Sequence, residues 1–163
     1  MDYKPKDGFL YYYNLVKSGD YKSNFSSINT FDFLDTITEE KSNYRYAPDK
    51  WSIKQVVGHM TDHERIKMFR AFLLSRKQNV ELWGYDQNAL VENSRFDNQT
   101  ILELKNDFRK VRAASVSFIN ALSSEQLLTK GMARDHSITL EQFLISIIGH
   151  EMHHVTILKE KYL

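Results

Sequence analysis

Five of the six histidines lie in two stretches of helical spacing that are far apart in the sequence: His59 and His63 in the first, and His150, His153 and His154 in the second. Neutral imidazole is a favoured ligand of zinc, nickel, copper and iron. Two imidazoles one helical turn apart, joined by a third from a facing helix, form a site with an open position for water or substrate. That is the pattern of catalytic metal sites.

The angular positions of the histidines place them on the inward side of each helix. At about 100° per residue and with Phe143 at zero, His150 lies at about −20° and His154 at about 20°, both inside the apolar stripe. On the other helix, His59 lies at about −60° from Val56. A core histidine that is merely hydrogen-bonded is the alternative for any one of them. Their occurrence on two helices favours a shared metal site.

A glycine precedes a histidine on each of these helices, at Gly58–His59 and Gly149–His150. A glycine inside a helix costs ~1 kcal/mol relative to alanine, so its presence needs a reason. We expect both glycines to permit close packing and to mark the place where the two helices meet. The alternative is that their positions are accidental.

Residues 150–154 also match the H-E-x-x-H motif of zinc peptidases, in which the glutamate is the general base. The motif is short enough to occur by chance. The sequence also lacks the strands that line a peptide-binding cleft. We therefore do not interpret these residues as a peptidase site.

Four long stretches with apolar residues at a period of 3.6 must position the histidines. The predicted helices cover about 21–41, 52–77, 100–122 and 139–160, with a shorter helix over 8–16 and one turn after Ser123. Three of them open with capping boxes, at Ser52/Gln55, Thr100/Glu103 and Thr139/Gln142. The pattern predicts an all-α four-helix bundle, and the connection over 79–99 predicts a long crossover loop.

The composition excludes several other classes of protein. The 163 residues are 42% hydrophobic and 26% charged, which predicts one globular domain over 1–163. A net charge of +1 argues against a nucleic-acid partner. No apolar run approaches the ~20 residues of a membrane span, and a signal peptide is not evident. The absence of cysteine excludes thiolate ligands and a cysteine nucleophile, and it fits a cytoplasmic location.

Two segments resemble the signatures of the DinB/YfiT-like superfamily. Residues 51–62 (WSIKQVVGHMTD) are similar to its second-helix signature, in which a Trp-Ser/Thr-x-x-Glu/Gln stretch leads to a metal-binding histidine. Residues 149–154 (GHEMHH) are similar to its fourth-helix signature, in which the first and last histidines of H-x-x-x-H complete the site. The stretches 44–50 and 84–87 also fit one branch of the family, so the resemblance extends from about residue 21 to the end.

The resemblance implies a homodimeric four-helix bundle that binds a divalent metal, zinc or nickel, through three histidines: His59, His150 and His154. Many members of the family transfer a low-molecular-weight thiol, such as bacillithiol or mycothiol, and others are described as metal-dependent hydrolases. His63 departs from the family pattern. This extra imidazole is either a fourth ligand, which would close the site, or a residue of the pocket.

We therefore expect a metal-dependent enzyme that transfers a bacillithiol-type thiol to an electrophilic small molecule. A metal-dependent hydrolase and a non-enzymatic metal- or ligand-binding stress protein are the alternatives. Because the chain has no cysteine, any thiol must come from a cosubstrate. Asp62 and Glu151 are candidate proton acceptors or could orient a ligand imidazole, although a solvated carboxylate is the simpler interpretation of each. Tyr85, Asp86 and Gln87 either line the mouth of a pocket or pack on the bundle.

Overall fold

The structure is a computed structural model that describes residues 3–16, 20–78, 84–133 and 135–163. Its elements follow in chain order: α1 (Phe9–Val16), α2 (Tyr21–Ser26), α3 (Asn29–Asp35), α4 (Glu39–Ser42), α5 (Ile53–Ser75), α6 (Gln87–Glu92), α7 (Ile101–Asn120), α8 (Ser124–Leu127), β1 (Lys130–Ala133), β2 (His136–Thr139) and α9 (Leu140–Ile157). Two 3₁₀ turns, Pro5–Asp7 and Phe96–Asn98, precede α1 and α7, and a π-helical turn, Leu158–Tyr162, extends α9. No helix within these ranges is long and apolar enough to cross a membrane.

The three longest helices begin where the capping boxes predict. Ser52 Oγ accepts a hydrogen bond from the Gln55 amide at 3.1 Å, and Gln55 Oε1 accepts one from the Ser52 amide at 3.0 Å. Each bond satisfies an amide that has no partner inside the helix. The same reciprocal pair begins the other two helices, at Thr100/Glu103 and Thr139/Gln142.

The predicted first helix over 21–41 is wrong as a continuous helix, because the chain breaks it into α2, α3 and α4. The backbone of Ser27 is extended after α2, and Thr38 is extended before α4, where its hydroxyl accepts from the Lys41 amide. Serine and threonine side chains compete for backbone groups and so favour helix ends. Ile28, an apolar residue inside the predicted range, is 65% exposed as a result.

The long crossover connection is confirmed by the directions of the helices. Phe96, just before α7, packs on Gly58 near the start of α5, and Gln126, just after α7, donates to the Ser75 carbonyl at the end of α5. The two helices are therefore parallel, and the connection must return along about 35 Å of α5. It is not a plain loop, since it contains α6 and a 3₁₀ turn. Residues 79–83, which include Trp83 of the expected loop, lie outside the described residues.

The remaining elements complete the bundle. Helix α9 contacts α5, and α2 contacts both α7 and α9, so α2 and α3 supply the fourth side. Helix α1 packs on α9. Between α8 and α9, strands β1 and β2 pair as an antiparallel hairpin in which Lys130 lies opposite Thr139. This hairpin is a departure from an all-α fold, but the bundle itself is confirmed.

The hydrophobic core consists of two clusters with a polar layer between them. One cluster includes Leu74, Leu140 and Phe143, and the other includes Val56 and Phe108. Charged and polar side chains are buried where α5, α7 and α9 pass between the clusters. These residues, called the polar layer below, are His59, His63, Glu64, Arg112, Ser115, His150, Glu151 and His154.

Candidate metal centre

Three histidines of the polar layer converge from two helices. His150 Nε2 lies 3.1 Å from His59 Nε2 and 3.2 Å from His154 Nε2. One ring nitrogen of each lies within 4.8 Å of the other two. The residues are only 2%, 3% and 9% exposed for His59, His150 and His154. The structure thus brings together the three residues that were predicted to be metal ligands. They are called the histidine cluster below.

The spacing within the histidine cluster fits a metal ion. Ligand nitrogens at 2.0–2.1 Å from a tetrahedral zinc ion lie about 3.3 Å from each other. Hydrogen bonding alone accounts less well for the arrangement, because a neutral imidazole nitrogen carries either one hydrogen or one in-plane lone pair. His150 Nε2 can therefore bond to only one of its two nitrogen neighbours. The donor set is suited to a divalent ion such as zinc or nickel.

The histidine cluster is in the protonation state that metal binding needs. Burial, together with the charge of His153, lowers the pKa of His59 to about 4. Burial also lowers the pKa of His150 and of His154 well below the ordinary value. All three imidazoles are therefore neutral near pH 7, and neutral imidazole is the form that binds a metal.

His63 lies beside the histidine cluster rather than in it. Its ring stacks on the ring of His150, with centroids 3.5 Å apart and planes inclined by 6°. Its Nδ1 hydrogen-bonds with the hydroxyl of Tyr85 at 2.6 Å. Burial raises the pKa of Tyr85 to about 12, so this hydroxyl stays protonated. The geometry assigns His63 to the wall of a pocket and leaves three nitrogens for a metal.

A cavity of about 640 Å³ reaches the histidine cluster at His150. Tyr85 and Gln87 line it, as the sequence allowed, whereas Asp86 accepts from the Asn88 and Ala89 amides and caps α6. Its volume lies in the range of small-molecule sites. Its other polar and aromatic lining residues include Asp7, Tyr12, His63, Lys67, Arg70, Asp135, His136 and Phe143.

At each of the two glycines, another part of the chain packs closely against a helix that carries the histidines. A Cβ atom on Gly149 would lie 1.9 Å from the Tyr12 carbonyl oxygen, and one on Gly58 would lie 2.6 Å from the Phe96 ring. The prediction that these glycines mark the contact between α5 and α9 is therefore wrong. Gly149 allows α1 to pack against α9, where the Tyr12 ring meets the His150 ring edge-on at 5.1 Å. No motif in the sequence indicates Tyr12 at the site, although Gly149 indicates a close approach.

Glu151 is not the solvated carboxylate that the sequence favoured. It is buried, it pairs with Arg112, and it accepts a hydrogen bond from Thr30 Oγ1 at 2.5 Å. Arg112 also pairs with Glu64 at 2.7 Å. Both carboxylates are therefore occupied in holding α5, α7 and α9 together. Asp62 is half-buried, so that burial raises the pKa of its carboxyl, and it pairs with Arg65 at 3.1 Å.

Arg112 and Glu64 were not identified from the sequence. Each is a charged residue at a buried position of its helix. Such a position is a signal that sequence reading can use, since a buried charge needs a partner of opposite sign. The pairing itself joins α5 and α7 across 48 residues of sequence.

The fold and the site define a class: a helical bundle with three inward histidines, from two antiparallel helices, at a candidate metal centre. The chain belongs to the DinB superfamily, whose family model matches residues 29–158. The resemblance noted in the sequence is thereby confirmed.

A solved structure supports the fold. The chain is similar to YfiT from Bacillus subtilis, with a TM-score of 0.73 and 18% identity over 98% of this chain and 91% of that one. YfiT is described as a probable metal-dependent hydrolase with an unusual four-helix bundle topology. At this identity the likeness shows the fold alone. A search of curated proteins found no significant match.

Proposed function

We propose that the chain is a metal-dependent enzyme in which His59, His150 and His154 hold one divalent ion, zinc or nickel. The observation that carries the proposal is the 3.1 and 3.2 Å spacing of three buried imidazole nitrogens. When bound, such an ion supplies a positive charge that lowers the pKa of a coordinated thiol or water. The description of YfiT as metal-dependent supports the same class of chemistry.

The proposed reaction is the transfer of a low-molecular-weight thiol, of the bacillithiol type, to an electrophilic small molecule. The thiol is a cosubstrate because the chain has no cysteine. A thiol ionises with pKa ≈ 8.5 and water at 15.7, so a thiol needs much less help to become a nucleophile. Glu64 and Glu151, the two carboxylates of the polar layer, are both paired with Arg112. This arrangement supports a nucleophile that depends little on a carboxylate base.

The residues of this chain would bind and orient the reactants. Tyr12 and Gln87 offer hydrogen-bonding groups in the cavity, and Phe143 offers an apolar surface. Burial raises the pKa of Tyr12 to about 12, so its hydroxyl remains a donor at neutral pH. The stacked pair of His63 and His150 lines the cavity where it reaches the histidine cluster.

Two alternatives remain within the proposal. The description of YfiT favours hydrolysis, in which a water molecule replaces the thiol as the nucleophile. A non-enzymatic metal- or ligand-binding stress protein would be favoured by a closed site with four ligands. The position of His63 outside the histidine cluster weighs against that closed site.

The proposal includes the cellular setting. We place the protein in the cytoplasm as a homodimer that acts on a small molecule and binds neither nucleic acid nor a membrane. The absence of cysteine and the net charge of +1 support the location and the lack of a nucleic-acid partner. The dimer is carried over from the family resemblance, and sedimentation equilibrium would test it.

The first experiment is a measurement of metal content by elemental mass spectrometry on protein purified without an affinity tag. The wild type is compared with His59→Ala and His150→Ala, and with His136→Ala as a matched control. His136 is exposed on β2 and lies outside the histidine cluster, so it controls for metal retention even though it lines the cavity. We expect one zinc or nickel ion per chain, retained in the control and lost in the other two variants. A wild-type protein that stays metal-free after reconstitution contradicts the proposal.

The second experiment separates the two reactions. Metal-loaded protein is mixed with bacillithiol and monobromobimane, and the loss of free thiol is followed; 4-nitrophenyl acetate without thiol serves as the hydrolysis arm. Faster thiol loss that disappears in His150→Ala supports S-transfer. Ester hydrolysis alone supports the hydrolase. A metal-loaded protein that is inactive in both arms supports the non-enzymatic binding protein.

A further inference from the structure

Two basic side chains continue the histidine face of α5 into the cavity. Lys67 follows His63 by four residues and Arg70 by seven, so all three lie on one face of the helix. Lys67 Nζ lies 5.2 Å from the centre of the Phe143 ring, and the Arg70 guanidinium carbon lies 5.9 Å from the centre of the Tyr85 ring. All of these residues line the cavity.

The distances along α5 place both basic groups within the length of a small molecule. At 1.5 Å per residue, Lys67 lies about 6 Å and Arg70 about 10 Å from His63 along the helix axis. Burial lowers the pKa of His63 most strongly and the charge of Lys67 comes next, whereas for His150 the neighbouring histidines precede Lys67. A ligand in contact with His150 therefore has its far end beside a cation.

Among the described residues that line the cavity, the acidic ones are on other elements. Asp7 lies in the 3₁₀ turn before α1 and accepts a hydrogen bond from the Lys4 amide at 2.7 Å. Asp135 is exposed in the turn between β1 and β2. Neither belongs to α5, so the wall built by that helix is basic while the carboxylates lie in the turns of covering segments.

We propose that the molecule bound in this cavity carries an acidic group, a carboxylate or a phosphate, which Lys67 and Arg70 bind while the rest of the molecule extends toward His150. Both side chains are half-buried, where charge-assisted hydrogen bonds are stronger than in open solvent. The guanidinium of Arg70 offers paired donors that match two oxygens of one such group. The aromatic rings beside the cations suit an apolar middle portion.

This inference rests on the proposed function in one respect only, namely that the end of the ligand near His150 is the end that reacts. The preference for an anion comes from α5 itself and does not require a metal. Binding and metal content are therefore separate measurements on the same samples.

The test compares benzoate and phenyl phosphate with neutral benzamide, by isothermal titration calorimetry on metal-loaded protein. The variants are Lys67→Gln and Arg70→Gln, with Lys110→Gln as a matched control that is exposed on α7 and outside the cavity lining. We expect at least one anion to bind about tenfold more tightly than benzamide. Each cavity variant should lose about tenfold in affinity for that anion, while its benzamide affinity stays unchanged. The benzoate and phenyl phosphate arms distinguish a carboxylate from a phosphate ligand.

Further measurements keep the inference refutable if a glutamine variant folds poorly. In the wild type, added NaCl should weaken anion binding and leave benzamide binding unchanged. Lys67→Arg, which keeps the charge, should retain the preference for the anion. Equal binding of anions and benzamide, no detectable binding of either anion, or full anion affinity in both glutamine variants would overturn the inference. A wild type that binds anions selectively but holds no metal would refute the proposed enzyme and leave the anion site intact.

Discussion

Arg112 is the cation between two buried carboxylates, and Arg112→Met would leave both without a counter-charge. Its Nη2 bonds Glu64 Oε2 at 2.7 Å, its Nε lies 3.1 and 3.2 Å from the two Glu64 oxygens, and it also pairs with Glu151. The side chains of Arg112, Glu64 and Glu151 are 5%, 3% and 11% exposed. Water therefore cannot readily replace the lost partner.

The size of the effect follows from this burial. Removing one partner of a buried ion pair costs about 3–5 kcal/mol, since an uncompensated charge remains in the core. Methionine fills much of the arginine volume, so a cavity adds little to the cost. We expect Arg112→Met to lower the free energy of unfolding by about 3–5 kcal/mol. Since mesophilic domains have about 5–15 kcal/mol in total, the loss would bring the protein close to unfolding.

The assay is urea unfolding followed by far-ultraviolet circular dichroism on metal-free protein, so that changes in metal affinity do not contribute. Lys110→Met on the exposed side of the same helix is the control, and its effect should stay within about 0.5 kcal/mol. The triple variant Glu64→Gln, Arg112→Met, Glu151→Gln removes all three charges. It should recover at least half of the stability lost in Arg112→Met.

Two results would refute this reasoning. A loss below about 1 kcal/mol in Arg112→Met would mean that the carboxylates find other partners or water. A triple variant less stable than Arg112→Met would mean that packing and hydrogen bonds, rather than stranded charge, dominate the cost.

The remaining predictions concern packing, pH and ligand number. Gly149→Ala should displace α1, because its Cβ would lie 1.9 Å from the Tyr12 carbonyl oxygen; the expected loss is about 1–3 kcal/mol of stability, with faster proteolysis within α1. The metal-free protein should gain stability as pH rises from about 4 to 6.5, by up to roughly 3 kcal/mol from His59 alone, because the unfolded state binds the extra proton in that window; a pH-independent urea midpoint there would contradict this. His63→Ala should keep its metal in elemental analysis, since three nitrogens form the cluster without it; loss of the ion would make His63 a fourth ligand.

Much of the site was accessible from the sequence because its signals are periodic. The three capping boxes fix the starts of α5, α7 and α9, and the 3.6-residue repeat then fixes which side chains turn inward. With those two facts, His150 and His154 fall on one face, and His59 falls on the facing helix. The resemblance to the family added the pairing of the two helices, and the structure supplies the convergence to 3.1 and 3.2 Å.

The parts that the sequence did not predict depend on contacts between distant residues or on competition at single positions. The apolar pattern predicts one helix through Ser27 and Thr38. The backbone is extended at both residues, so the helix is interrupted there. Glu151 and Arg112 are 39 residues apart in the sequence, and the helical repeat of apolar residues does not predict that they pair. The packing of α1 on Gly149 places one of the earliest segments of the chain against one of the last.

The polar layer has a consequence for the lifetime of the folded chain. It interrupts apolar contact between the two core clusters, so one half of the bundle can open without forcing the other to do so. An ion held by His59 of α5 and by His150 and His154 of α9 would join these two helices within the polar layer. By mass action, each tenfold excess of ion over its dissociation constant would then add about 1.4 kcal/mol to the folded state. Hydrogen exchange should show two protection levels without metal and one with it. Without the ion, the folded chain would then be more open to proteolysis.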